Sequence, residues 1–334
     1  MPRGRDVLMD HEAIAAARVV IDEALGIRNG ETVLITNDSP TTHELSSLLA
    51  SAVWEAGAAP VELFMTKLAR PGLPIPSLIA QAAHHADVWI ELNEIYILGT
   101  PADHDARRAG TRRFYSLSGM TVTDLILLEL KVDRVALAEL GERLGELTTG
   151  KEELRITCDN GSDFRASIRD CVASPDTTTM PLGQTHVSPI EESVSGRLVF
   201  DGSAFPPESL TILKDTITIE FSDGLSRVTG EGREAQVLAS WREWNEDPGI
   251  YRLNHVSYGY HPNVPLPTGR LVADERVFGC LCVGFGPPQP YTCHSDLTIL
   301  GATVRVDDEP LQIKGRYVDP EARKLARSLR APGY

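Results

Sequence analysis

The sequence predicts an α/β protein: an N-terminal α/β domain on an open parallel sheet, then a β-rich α+β domain that carries a metal site. Three observations predict it. Short apolar runs alternate with helix-period segments through the first third of the chain. Beyond residues 130–150 the texture changes to short β-rich runs divided by Asp-Gly and Asn-Gly turns. The histidines with ligand-like neighbours lie in that second part. We place the domains at residues 1–140 and 141–334.

The elements follow in order. Residues 11–27 place Ile14, Ala17, Val20, Ile21, Ala24 and Leu25 at helical spacing, and Asn29-Gly30 stops the helix. TVLIT at 32–36 is a β-branched run suited to a buried parallel strand. A helix over 41–56 closes at Gly57, a strand follows over 59–65, then a helix over 75–85 and a strand over 86–92. The stretch after the first strand, TNDSPTTHE, has no glycine, which argues against a dinucleotide or P-loop site. Asp38 stands there in the usual ligand-facing position of an open α/β sheet. A helix over 131–147 ends this half, and a further helix over 231–246 interrupts the β-rich remainder.

Composition narrows the partners. The 334 residues include 32 basic and 47 acidic side chains, a formal charge of −15. A field of that sign repels nucleic acid and anionic membrane, and no compact basic stretch offsets it. Met1 to Asp10 carries Arg3 and Arg5 with no apolar run behind them, so it does not read as a secretion signal. No apolar stretch approaches the ~20 residues of a membrane helix. Five cysteines read as reduced thiols, which fits a cytoplasmic location.

The chemistry concentrates at Cys293-His294-Ser295-Asp296. On a strand, residues i and i+2 face the same side, so His294 and Asp296 could point into one site and bind a divalent metal. His-x-Asp is half of the two-His, one-carboxylate facial triad, which leaves coordination positions open. No histidine follows His294, so a third ligand must come from upstream; His186, His255 and His261 are the candidates. That order is the reverse of the double-stranded-helix oxygenases. Cys280-Leu281-Cys282 with Cys293 makes a poor zinc signature and reads as buried packing. Glu191-Glu192 reads as a solvated turn, and His84, His85 and His104 as surface residues.

Several ordered blocks over roughly residues 180–300 resemble the aminopeptidase T group of metallo-aminopeptidases. Pro189–Gly196 (PIEESVSG) and Arg197–Ser203 (RLVFDGS) resemble that family's PVEDSVNG and VFDGS. His255–Pro262 (HVSYGYHP) resembles its EFGIGxNP, Thr268–Gly279 (TGRLVADERVFG) its TGxLxDEKxxG, and His294 to Asp296 its closing HxD. The departures matter as much. Where the peptidases keep a metal-binding glutamate after glycine, Gly183 is followed by Gln184. Their second ligand glutamate stands here as His255, and a ligand histidine as Cys282. A two-metal hydrolytic site would be hard to build from what remains. His255, His294 and Asp296 do remain, a one-metal set suited to non-haem Fe(II).

This pattern is similar to the 2,5-dihydroxypyridine 5,6-dioxygenase branch of the same superfamily. The resemblance implies Fe(II) on His255, His294 and Asp296, a hydroxylated N-heteroaromatic substrate, dioxygen as co-substrate and a homo-oligomer. His186, two residues after Gln184, is the candidate proton acceptor for the ring hydroxyl. Tyr258, His261, Ser295 and Tyr96 are candidate substrate contacts. A metal-dependent hydrolase, acting as an aminopeptidase or an aromatic-amine aminohydrolase, and a non-catalytic binding protein are the competing expectations.

Overall fold

A computed structural model describes residues 4–39, 42–116, 119–176, 181–290 and 292–334. The chain divides into two compact units, residues 1–132 with 177–181, and residues 133–176 with 182–334.

The first unit holds α1 (Gly4–Arg18), β1 (Thr32–Asn37), α2 (His43–Glu55), β2 (Ala59–Phe64), α3 (Ser77–His85), β3 (Val88–Glu91), α4 (Pro101–Arg108), β4 (Arg112–Tyr115) and α5 (Val122–Glu129). Among the described residues its strands form one parallel four-stranded sheet in the order β2-β1-β3-β4. The apolar runs explain the order. β3 is buried along its whole length, while β2 at the edge exposes Val61 and Phe64. Trp89 and Leu34 anchor a core cluster with Met65, Ile79 and Ala83. Arg113, fully buried, lies 3.5 Å over the Trp89 ring and bonds Asp103 at 2.9 Å. Asp38 is satisfied locally, its carboxylate accepting the Glu94 N–H at 2.7 Å and the Ile95 N–H at 3.4 Å.

The second unit opens with α6 (Arg134–Thr148), the helix that the sequence reading had closing the first half. Asp133 caps it by accepting from the N–H groups of Val135 and Ala136. Then come β5 (Glu153–Thr157), β6 (Asp163–Ser167), β7 (Ser174–Pro175), β8 (Gln184–Val187), β9 (Ser195–Phe200), β10 (Ala204–Phe205), β11 (Ile217–Ser222) and β12 (Leu225–Val228). α7 (Arg233–Trp244), β13 (Leu253–Gly259), α8 (Leu271–Asp274), β14 (Leu281–Phe285), β15 (Ser295–Ile299), β16 (Thr303–Val306), β17 (Glu309–Ile313), β18 (Arg316–Tyr317) and α9 (Pro320–Ser328) complete it. The described strands make an eight-stranded sheet, β12-β11-β9-β6-β5-β16-β17-β18, and a six-stranded sheet, β10-β15-β14-β13-β8-β7. Phe285 of the six-stranded sheet meets Phe200 and Phe221 of the other at ring separations of 6.0 and 6.1 Å, which ties the two sheets through a shared core. No described helix is long and apolar enough to cross a membrane.

Candidate metal centre

The site is a row across three neighbouring strands of the six-stranded sheet. His255 of β13 pairs with Gly284 of β14, and Gly284 pairs with Asp296 of β15. Residues opposite one another on adjacent strands project to one face, so His255 and Asp296 flank the bare backbone of Gly284. His294, two residues before Asp296, adds its ring from the position immediately preceding β15. The His255 and His294 rings stack at 5.6 Å and 13°. Nε2 of His294 lies 3.2 Å, and Nε2 of His255 3.6 Å, from the same Asp296 oxygen, Oδ1.

A β-bulge aims His255 at that row. Leu253 pairs with Phe285 and His255 with Gly284, so β13 spends two residues where β14 spends one. Strict alternation would send His255 to the side of Leu253 and Phe285, both buried in the core. The extra residue, Asn254, turns it to the opposite face. Gly284 then supplies room: a Cβ there would stand 2.2 Å from Cε1 and 2.4 Å from Nδ1 of His255. The His255 ring therefore lies directly over the β14 backbone on its way to Asp296.

The donor set fits one divalent ion. Among the described residues, His255, His294 and Asp296 are the one group of three or more His, Cys, Asp or Glu that could hold a metal, with their ligand atoms within 4.8 Å of one another. Metal–ligand bonds of about 2.1 Å place neighbouring ligand atoms roughly 3.0–3.4 Å apart, close to the 3.2 and 3.6 Å that separate Asp296 from the two imidazoles. Burial pushes the His255 imidazole down to about 3, reinforced by His294 and His186 and opposed by Asp296, so the ring is neutral and offers a lone pair. At 3.6 Å, its Nε2 is too far from Asp296 for a hydrogen bond. Two electron-rich atoms facing one another are stabilised by a cation between them.

His186 pairs with Ser257, the neighbour two along from His255, and so shares the site face. Its ring lies 6.2 Å from that of His255. Burial alone lowers the His186 pKa below the ordinary histidine value. Cys282 also occupies this face, in register with Ser257 and Thr298. Its thiol is pushed well above the usual range by burial, then by Asp296 and Glu275, and it is not among the clustered His255, His294 and Asp296. Gln184 hydrogen-bonds Asp176 in a buried network where Arg276 lies 2.9 Å from Asp176 and also bonds Glu275.

The other sequence candidates sit elsewhere. Tyr258 projects to the opposite face of β13, its hydroxyl 3.4 Å from Thr148 of α6. His261 is fully buried; its backbone N–H bonds the Arg276 carbonyl and its Nδ1 accepts from the Asn263 N–H at 3.3 Å. The Ser295 hydroxyl donates to the Pro206 carbonyl at 2.9 Å, on the face away from His294 and Asp296. These three therefore give no support to direct substrate contact. Tyr96 is buried in the first unit. Cys280, Cys282 and Cys293 are buried, His84 and His85 are exposed, and Glu191 pairs with Arg252 at 2.6 Å. Sequence reasoning missed Asn254, Gly284, Glu275 and Arg276. Gly284 had a signal, since a glycine inside the apolar run LCVGF marks a bulge or a close approach.

Fold and cluster together define a two-unit α/β protein with a His/His/Asp set on an antiparallel sheet, the class suggested by the sequence blocks. Residues 22–319 match the NicX family, 2,5-dihydroxypyridine 5,6-dioxygenase, and the chain belongs to that family. It is 24% identical over 269 residues, 73% of this chain and 75% of the relative, to the 2,5-dihydroxypyridine 5,6-dioxygenase of Pseudomonas putida KT2440. The solved structure of the 2,5-dihydroxypyridine dioxygenase from that strain has the same fold, with a TM-score of 0.76 at 17% identity over 96% of this chain and 99% of that one. Wild-type AmpT from Thermus thermophilus also shares it, at 0.65 and 15% over 93% and 100%.

Proposed function

We propose that this protein is a mononuclear non-haem Fe(II) dioxygenase of extradiol type that opens the ring of a hydroxylated N-heteroaromatic such as 2,5-dihydroxypyridine. The observation that carries the reading is the clustered set of two imidazoles and one carboxylate, His294 and Asp296 buried and His255 partly buried, aligned on one sheet face. Family membership supports it. His255, His294 and Asp296 would hold the ion on one side and leave its other side to ligands. Bound Fe(II) would supply electron transfer between the electron-rich ring and dioxygen. Both oxygen atoms of dioxygen end in the acyclic product, so no external reductant is needed.

The chain's own residues supply the rest. His186, neutral through burial, accepts the ring-hydroxyl proton at an imidazole nitrogen, which makes the ring a better electron donor. The apolar core behind the sheet, from Val256, Val283 and Phe285, keeps water from the far side of the ligand strands.

Metal analysis with an oxygen electrode tests this. One iron per chain, with one dioxygen consumed per 2,5-dihydroxypyridine, is the expected result. Hydrolysis of a peptide or aryl amine without oxygen uptake would overturn it in favour of a metallohydrolase. Failure to take up Fe(II) under anaerobic loading would point instead to a binding protein. Wild-type iron content and turnover in His255→Ala would remove that residue from the ligand set.

A further inference from the structure

Asn254, the bulge residue, holds an amide whose two ends determine each other. Its Nδ2 donates to the Pro287 carbonyl at 2.8 Å. A carbonyl oxygen only accepts, so the amide nitrogen must face it and Oδ1 must face away. That Oδ1 lies 3.1 Å from Nδ1 of His255. An amide oxygen has no proton to give, so this contact is a hydrogen bond only when His255 carries its proton on Nδ1. The lone pair then resides on Nε2, the atom that points to Asp296. With the other tautomer, lone pair would meet lone pair at Asn254, and an N–H would occupy the direction a metal must take.

The bulge is what makes the contact available. Neighbouring residues on a regular strand project to opposite faces and do not meet. Here the register slips by one residue between Leu253 and His255, which brings the side chains of Asn254 and His255 together. One irregularity thus turns His255 onto the site face and sets an acceptor behind its ring.

We propose that Asn254 is a positioning residue of the centre: through the Pro287 carbonyl it locks His255 in the Nδ1–H tautomer and presents the Nε2 lone pair for a divalent cation. The cation half rests on the metal-centre reading above; the tautomer half is a property of the metal-free protein. Outer partners of this kind typically change metal affinity ten- to hundredfold.

The test uses metal-free, uniformly 15N-labelled full-length protein and long-range 1H–15N correlation spectra at neutral pH. The His255 signals are identified by their loss in His255→Gln. The wild type is expected to carry the ring proton on Nδ1. Asn254→Leu, similar in volume but without an acceptor, should lose that preference and bind Co(II) about ten- to hundredfold more weakly. Asn254→Asp keeps an acceptor toward Nδ1 and should retain the Nδ1–H tautomer, although its second oxygen cannot donate to the Pro287 carbonyl as the amide does. Melting temperatures of both variants report folding. A wild-type proton on Nε2 overturns the proposal without any variant, as does an Asn254→Leu protein with wild-type tautomer and Co(II) affinity. Co(II) binding unchanged by both His255→Gln and Asp296→Ala would instead overturn the metal-centre reading, and leave the tautomer result to be judged separately.

Discussion

Gly284→Ala separates the site from the fold. Gly284 is not in the left-handed region, so its backbone does not need glycine. On conformational grounds alone, alanine in a strand interior is favoured by roughly 0.5–1 kcal/mol. The obstacle is His255. The added Cβ would stand 2.2 Å from Cε1, and the three nearest atoms all belong to that ring. Ordinary carbon–carbon contact is about 3.5 Å, so the ring must retreat by roughly 1.3 Å. An imidazole can swing about its two torsions without disturbing the sheet, but its Nε2 then leaves the neighbourhood of Asp296. A misplacement of ~1 Å at a reacting centre costs about a hundredfold in rate, or ~2.7 kcal/mol. The expected protein melts within a few degrees of wild type, binds Co(II) weakly and consumes oxygen with 2,5-dihydroxypyridine about a hundredfold more slowly. The assays are thermal melting, Co(II) titration and the oxygen electrode. Retention of both Co(II) affinity and turnover within about threefold would show that the His255 ring is not held over Gly284 during the reaction.

Three further outcomes follow from other residues. His186→Gln should keep full iron content and lose about 10²–10⁴ in kcat, the usual contribution of a general base; unchanged turnover would exclude that role. Arg276→Met leaves Asp176 and Glu275 as buried carboxyls without their shared cation, and should destabilise the protein by about 3–5 kcal/mol in urea denaturation. Glu91 is pushed up to about 8 by burial, reinforced by Asp38 and opposed by Arg113. A carboxyl that holds its proton more tightly when folded favours folding below its ordinary value of 4.5, and that advantage drains away as pH rises toward about 8. Glu91→Gln should therefore raise the melting temperature at pH 8 more than at pH 5; an equal shift at both would show that Glu91 is ionised in the fold.

Much of the first unit was legible along the chain. Strands expected at 32–36, 59–65 and 86–92 are β1, β2 and β3, and the helices between them are α2 and α3. Buried parallel strands are continuous apolar runs, and their crossover helices carry a clear period, so local pattern and tertiary role coincide. The 231–246 helix is α7. The 131–147 helix was legible as a helix but not as the opening element of the second unit, because periodicity records an apolar face and not what it packs against. The placement of Tyr258 and Ser295 was not legible for a related reason. Each adjoins residues of the cluster in sequence, but strand alternation turns their side chains to the other face.

For the site, the sequence determined the candidate ligand types and the two-residue spacing of His294 and Asp296, which favours a shared face in extended backbone. It also carried, through the order of its blocks, the family to which the chain belongs. It could not choose among three upstream histidines by local chemistry, because residue 255 meets residue 296 only through the register of β13, β14 and β15. Register is set by long-range pairing, and here by a single extra residue at Asn254. That residue decides which face His255 takes, Gly284 decides how near its ring can come to Asp296, and Pro287 decides which way the Asn254 amide turns. None of the three would bind metal itself; each acts through distances that exist only once the strands have paired.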